Sequence, residues 1–182
     1  LIYFNFKKDV LKQLKRFLTF FKYKKFFKQN DVYHIKKHLS SRDITLMHDT
    51  KKSFINFEKI LNIYPNDCFF LKMDIEGNEY RILDDIVKNQ KGMIGIAIEF
   101  HECDLMLNKI KDFIEKIDLD LVHIHVNNFC NIGKNYFPTV LELTFSDKKF
   151  NLKRNIDEFN FPNKEIDQPN NKEEEDKKIS FF

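Results

Sequence analysis

The pattern of hydrophobic and polar positions predicts strands that alternate with helices. Residues 68–71 form a short apolar run that ends in a turn, which is typical of a buried strand. A nearly continuous apolar run predicts a second strand over Met93–His101, and residues 120–126 predict a third. Residues 139–145 alternate strictly between apolar and polar, which favours an antiparallel or edge strand.

The segments that precede and connect these strands carry apolar residues at helical spacing. Residues 51–64, the residues that follow Gly77, and residues 104–117 each place their apolar side chains on one side of a helix. The predicted order is therefore β-α-β-α-β-loop-β. This order is half of a doubly wound α/β domain.

Residues 7–28 combine a stripe of apolar side chains with many lysines. We favour a helix that packs on a core and leaves its lysines in water. The same composition also suits a basic amphipathic helix that lies on an anionic membrane surface.

The distribution of charge along the chain indicates three regions. We expect a basic helical and linker region over residues 1–50, an α/β core over 51–146, and a polar, charged tail over 147–182. Within the tail, the run over 172–178 is typical of a solvated or disordered segment.

Composition excludes several classes of protein. The 182 residues are 42% hydrophobic, which is enough for one globular core, and a formal charge of +3 is too small to argue for a nucleic-acid partner. Cys68, Cys103 and Cys130 are odd in number and lack CxxC spacing, so we expect small buried side chains in a reducing, cytoplasmic compartment. No apolar run is long enough to span a bilayer, and no secretory signal is visible.

Candidate functional residues follow the first two predicted strands. Asp74, Glu76 and Glu79 come after the first strand, and Glu99 and His101 end the second. Adjacent parallel strands lie ~5 Å apart with their carboxyl ends level. We therefore expect Asp74 and Glu99 to lie side by side on one rim, where ligands bind in open α/β sheets.

The pairing of Asp74 and Glu99 leaves three interpretations open. The two carboxylates can act as general acid and base with separated pKa values, or hold a divalent cation with His101 as a nitrogen ligand. They can also accept hydrogen bonds from the hydroxyls of a polar ligand. Two structural roles compete with these: Glu79 suits the first turn of a helix, and Gly77 suits a tight turn.

A second pair of candidates lies on the third strand. His123 and His125 share a face of that strand. An HxH pair without a third ligand at a known spacing is a weak zinc signal, so we favour packing roles and assign no metal. A metal-dependent hydrolase that uses Asp74, Glu99 and His101 stays an alternative.

The residues around the first strand resemble a known family. The string FLKMDIEGNEYRIL over residues 70–83 is similar to the signature of FkbM-type methyltransferases, a strand that ends in D-x-E-G-x-E. Later segments are also similar to elements of that family, in the same order along the chain: 98–101, 121–128, 138–145 and 167–171.

The resemblance implies a class I methyltransferase that transfers a methyl group from S-adenosylmethionine to a hydroxyl. It implies a small-molecule or saccharide acceptor and a Rossmann-like sheet. Asp74 and His101 would be catalytic, and four residues would contact the cofactor or the acceptor: Glu76, Gly77, Glu79 and Glu99.

One feature of that family has no counterpart here. Its sheet begins with a strand and a glycine-rich turn that approaches the cofactor, whereas Gly77 is the first glycine of this chain. The chain also opens on Leu1 rather than Met. We therefore expect an incomplete sheet from the carboxyl-terminal part of a longer catalytic domain, which the start on Leu1 favours. The alternative is a degenerate member of the family that cannot bind the cofactor unaided.

Overall fold

The computed structural model describes most of the chain. The described residues are 15–29, 32–33, 35–41, 54–64, 68–150 and 162–177. The chain divides into two compact units, residues 1–37 and residues 38–182. The predicted region boundary at residue 50 lies outside the described residues, and the boundary at 146 stays a prediction.

The first unit contains helix α1, residues 15–26. The start of the helix predicted over 7–28 lies outside the described residues. Phe17, Leu18 and Phe21 of the predicted apolar stripe are exposed. The burial that we expected for the stripe is therefore not found for these three residues.

The second unit begins with two short paired strands and a helix. Strands β1 (His38–Leu39) and β2 (Phe54–Ile55) are parallel, and helix α2 (Phe57–Ile63) follows them. The Asn56 side chain caps this helix by accepting a hydrogen bond from the Lys59 amide at 2.8 Å. The helix predicted over 51–64 is thus shorter than expected, because its Phe54 pairs in a strand.

The main sheet has four strands in the described part of the chain. They are β3 (Phe69–Met73), β4 (Met93–His101), β5 (Asp120–Val126) and β6 (Val140–Ser146), in the spatial order β3-β4-β6-β5. Strands β3 and β4 are parallel, and β6 is antiparallel to both β4 and β5. The predicted mixed α/β architecture is confirmed.

The position of β6 corrects one prediction. We expected an antiparallel edge strand, but β6 lies between β4 and β5, and β5 is at the edge. The strict alternation of β6 has another cause: Leu141, Leu143 and Phe145 are buried in the core, while the residues between them face the opposite side of the sheet.

Helices α3 (Leu83–Lys88) and α4 (Cys103–Lys116) connect the parallel strands. A short 3₁₀ helix, Glu79–Arg81, precedes α3. The core is built from aromatic and aliphatic side chains, and the Phe113 ring lies 6.2 Å from that of Phe100 and 5.7 Å from that of Phe145.

Residues 162–177 lie against β5 and β6. The predicted solvated run is only partly so, because residues 172–175 are exposed but the Asp176 side chain is 13% exposed and contacts His125. Cys103 and Cys130 are buried as expected, whereas Cys68 is exposed. None of the described helices is both long and apolar enough to cross a membrane.

Candidate functional site

The acidic turn after β3 is organised by one buried carboxylate. Glu76 and Gly77 both have positive φ angles, +53° and +91°, which bend the chain back beneath the turn. Glu79 is thereby fully buried, and its Oε1 accepts hydrogen bonds from the amides of Ile75 at 3.2 Å and Gly77 at 3.1 Å. This side chain therefore holds the turn in shape from within.

The same carboxylate orients His101 at the end of β4. Nδ1 of His101 lies 3.1 Å from Oε1 of Glu79. Because that oxygen already accepts from two amides, the facing ring nitrogen is the N–H donor. In the neutral ring, Nε2 is then the acceptor, and it lies on the outer side of the ring, 3.6 Å from Oε2 of Glu76.

Tyr80 fixes the backbone at the same point. Its hydroxyl donates a hydrogen bond of 2.6 Å to the carbonyl of His101. Burial raises the pKa of Tyr80 well above its ordinary value, so the phenol remains a donor. The sequence analysis did not single out Tyr80, because an aromatic residue in the first turn of a helix is typical of the hydrophobic core.

Three side chains form an open cluster at this rim. One ligand atom from each of Asp74, Glu76 and His101 lies within 4.8 Å of the others. Asp74 and Glu76 are exposed, while the His101 side chain is 19% exposed. Two carboxylates and one imidazole in this arrangement can accept hydrogen bonds from hydroxyls or bind a cation.

Glu99 is engaged elsewhere. The register of β3 and β4 pairs Met73 with Ile98, so Asp74 and Glu99 follow at the same level, as expected. The Glu99 carboxylate, however, accepts a 2.8 Å hydrogen bond from Asn127 in the loop after β5 and is not in the cluster. Asn127 was missed, although a polar residue directly after a strand is a signal that points to the same rim.

The structure thus assembles part of the predicted site. It brings Asp74, Glu76 and His101 together, and it places Glu79 beneath them rather than against a ligand. Two cavities among the described residues lie elsewhere: one of about 540 Å³ at the amino ends of β3 and β4, the other of about 150 Å³ between α3 and α4. The cluster sits on an open rim, because Asp74 and Glu76 are exposed.

The two histidines of β5 have carboxylate partners. Nε2 of His123 lies 2.7 Å from Asp167, and His125 contacts Asp176 at 2.9 Å and Glu142 at 3.5 Å. The Glu142 hydrogen bond raises the pKa of His125 to about 9, helped by Asp176 and opposed by burial. Within the described residues, both histidines thus bind residues 162–177 or β6.

The described residues match only part of S-adenosylmethionine, the cofactor that the resemblance implies. The carboxylates of Asp74 and Glu76 suit a positive charge or a hydroxyl. The amides of Ile75 and Gly77 are taken by Glu79, so they are not available to an anionic group. With no glycine before Gly77, residues 1–76 hold no glycine-rich turn for a nucleoside. The residues present do not fit the whole cofactor, and we assign none of them to its nucleoside.

Comparison with protein-family models, with characterised proteins and with solved structures finds no significant match to this chain.

Proposed function

We propose that the chain carries the acceptor side of an FkbM-type, S-adenosylmethionine-dependent O-methyltransferase. The acceptor is a hydroxyl of a saccharide or another small polar molecule. The observation that carries this proposal is the pairing of buried Glu79 with His101, which turns Nε2 of His101 towards Asp74 and Glu76 at the rim.

The topology of the sheet supports the same proposal. In class I methyltransferases, an otherwise parallel sheet contains one antiparallel strand near its carboxyl-terminal edge. Here β6 runs antiparallel between β4 and β5. The acidic motif then lies at the carboxyl end of β3, at the rim where an open α/β sheet binds its ligands.

The residues of this chain would remove a proton and orient the acceptor. Methyl transfer to a hydroxyl is assisted by a base that accepts the hydroxyl proton, and we assign this role to Nε2 of His101, with Asp74 as the alternative base. Glu79 would stabilise the imidazolium that forms, because its Oε1 faces Nδ1. Asp74 and Glu76 would accept hydrogen bonds from other hydroxyls of a polyol and hold the reacting one in place.

An acceptor-binding assay tests the proposal, because the residues present do not fit the whole cofactor. The chain is titrated with a panel of sugars and other polyols, and binding is measured by calorimetry. We expect at least one polyol to bind, and we expect His101→Gln to weaken that binding by about 10-fold. His38→Gln removes an imidazole from the separate two-stranded sheet and should leave the binding unchanged.

Failure to bind any polyol would contradict the proposal. So would a His101→Gln variant that binds the polyol as tightly as the unchanged chain.

A second candidate, metal-dependent hydrolysis, is favoured by the cluster itself. A metal-binding histidine commonly donates its other ring N–H to a carboxylate, and Glu79 offers that carboxylate to His101. The ligands would then be Asp74, Glu76 and His101, so that Glu76 replaces the Glu99 expected from the sequence.

Calorimetric titration with Mn²⁺ or Zn²⁺ separates the two candidates. A metal site requires stoichiometric binding that Asp74→Asn abolishes and that Glu99→Gln, a matched change outside the cluster, leaves intact. Absence of binding would remove this candidate and leave methyl transfer untouched.

Helix α1 is a candidate contact with an anionic membrane surface. Its described residues are all exposed, and residues 10–30 contain lysine and arginine but no acid. The chain should then bind vesicles that contain phosphatidylserine, but not neutral ones, and lose this binding in high salt. Binding that survives Lys24→Glu and Lys25→Glu together would contradict this interpretation.

A further inference from the structure

Residues 162–177 are attached to the sheet by charged side chains from sequence-distant positions. Asp167 contacts His123 on β5 at 2.7 Å, and Asp176 contacts His125 on the same strand at 2.9 Å. Between these two contacts, the Asn170 amide donates a 3.0 Å hydrogen bond to Glu142 on β6. The segment therefore crosses the two strands along a row of polar groups.

A reciprocal amide pair completes the attachment. The Asn171 backbone amide donates to the side-chain oxygen of Asn128 at 2.6 Å, and the Asn128 side-chain amide donates back to the Asn171 carbonyl at 2.9 Å. Asn128 is 2% exposed. The attachment is therefore specific in geometry and not a loose electrostatic association.

Apolar burial contributes little to this attachment. No residue of 162–177 belongs to the hydrophobic core cluster of the described residues, and Ile166 is 65% exposed. Replacing a protein hydrogen bond or ion pair by contacts with water has a modest net cost in free energy. Exposing buried apolar surface to water has a cost that grows with its area. The segment can therefore leave the sheet without unfolding the core.

The segment covers the face of the sheet that also carries His101. His125 pairs with Glu142, and Glu142 pairs with Glu99, so the three side chains share one face. His101 lies two residues beyond Glu99 on β4 and faces the same way. Opening of the segment would uncover the polar row that leads to the rim cluster.

We propose that residues 162–177 form a strap that closes over the polar face of the sheet and opens when His125, which faces the strap's Asp176, loses its charge. The proposal does not depend on methyl transfer. It concerns access to this face, whatever ligand the rim binds.

The direction of the pH response follows from His125. Glu142 faces it from β6, and Asp176 and Asp167 face it from the strap, so its pKa in the closed state is about 9 against an ordinary 6.5. Glu142 stays beside His125 when the strap opens, so only the part of the raised pKa that Asp176 and Asp167 cause is linked to closure. Their contribution favours closure while His125 is charged, and it is lost as the pH rises through 9.

A second opening is expected in acid. The hydrogen bonds from His125 and from the strap's Asn170 hold the pKa of Glu142 below its ordinary value. The part that Asn170 supplies favours closure above the ordinary pKa of Glu142 and is lost as the pH falls through the lowered one. The strap should be most tightly closed between these limits.

Spin-label mobility at the strap tests the proposal. Gln168 is exposed and lies within the strap, so Gln168→Cys can be labelled in a Cys68→Ser background, where the remaining cysteines are buried. We expect the mobile fraction of the label to rise as the pH is raised from 7 to 10, and to rise also in 1 M salt. Circular dichroism on the same samples should show no loss of secondary structure.

Two variants identify the side chains that cause the change in label mobility with pH. His125→Gln should remove the alkaline transition, and Asp176→Asn, which changes only the strap side of the contact, should shift it to lower pH. His38→Gln is the matched control and should keep the transition. A label that stays immobile up to pH 10, or an unchanged transition in both His125→Gln and Asp176→Asn, would overturn the proposal.

Discussion

The two faces of strand β4 are stabilised by different kinds of interaction. Ile96, Ile98 and Phe100 point into the core and are at most 1% exposed. Glu99 and His101, on the opposite face, are held by single hydrogen bonds to Asn127 and Glu79. This strand of nine residues therefore carries fully buried core residues on one face and candidate functional residues on the other.

The apolar face fixes the sheet, and the polar face fixes the orientation of the candidate functional residues. The free energy gained by apolar burial is roughly proportional to the buried area and has no preferred direction. Apolar burial therefore stabilises the sheet but does not orient any polar group. A hydrogen bond requires a defined distance and angle. The polar face therefore orients its side chains through pairs such as Glu79 with His101 and His125 with Glu142, and a single substitution can disorganise it without unfolding the core.

The largest effect should come from the core face. Phe100→Ala would leave a cavity beside Phe113 and Tyr80, and we expect a loss of about 3–5 kcal/mol in the free energy of unfolding. Urea denaturation measures this loss. Phe129→Ala, at a ring that is 67% exposed, is the matched control and should change stability by less than ~0.5 kcal/mol. Equal losses of stability in the two variants would contradict the statement that burial on the core face of β4 stabilises the sheet.

A smaller loss is expected from the buried carboxylate beneath the rim. Glu79→Ala would leave three donors without their acceptor: the amides of Ile75 and Gly77 and the Nδ1–H of His101. We expect the free energy of unfolding to fall by about 2–3 kcal/mol. Glu79→Gln keeps an oxygen acceptor and should recover more than half of that loss in the same denaturation experiment. If the two variants are equally stable, the carboxylate does not organise the turn.

The polar pair on β5 and β6 should show its effect in titration and not in global stability. Glu142→Gln removes the main cause of the raised pKa of His125, so the value should move from about 9 towards the ordinary 6.5. Two-dimensional NMR of the ring protons against pH measures it. A His125 pKa that stays near 9 in this variant would assign the shift to the strap aspartates instead.

The smallest effect should have the opposite sign. Glu76 has a φ of +53°, where a side chain is strained, and 85% of that side chain is exposed. Glu76→Gly would relieve the strain and stabilise the chain by about 0.5 kcal/mol, net of the greater freedom of glycine in the unfolded state. A thermal midpoint that falls in Glu76→Gly would show that this carboxylate stabilises the rim, which the open cluster does not require.

The apolar face could be predicted from the sequence because burial leaves a periodic signal. Met93–His101 and Asp120–Val126 have the predicted bounds, and the residues after Gly77 form the expected helical connection. The place of β6 between β4 and β5 could not be predicted, because alternation reports which face is buried and not which strands are neighbours.

The candidate site could be predicted only in part for a related reason. The carboxyl ends of β3 and β4 meet at one rim, so Asp74 and His101 were found from position alone. The partner of Glu99 depends on the loop after β5, and the burial of Glu79 depends on two positive φ angles in the preceding turn. Neither of these two features produces a periodic pattern in the sequence. The contacts of Asp167 and Asp176 with β5 span 44 and 51 residues, a separation that composition does not encode.

The proton position on His101 is the most direct test of this account, because the proposed role of the rim depends on it. Nitrogen-15 NMR of the neutral imidazole distinguishes a proton on Nδ1 from one on Nε2. We predict the Nδ1–H form in the unchanged chain and a mixture of both forms in Glu79→Ala. An Nε2–H ring in the unchanged chain would contradict the account, since the atom that faces Asp74 and Glu76 could then accept no proton.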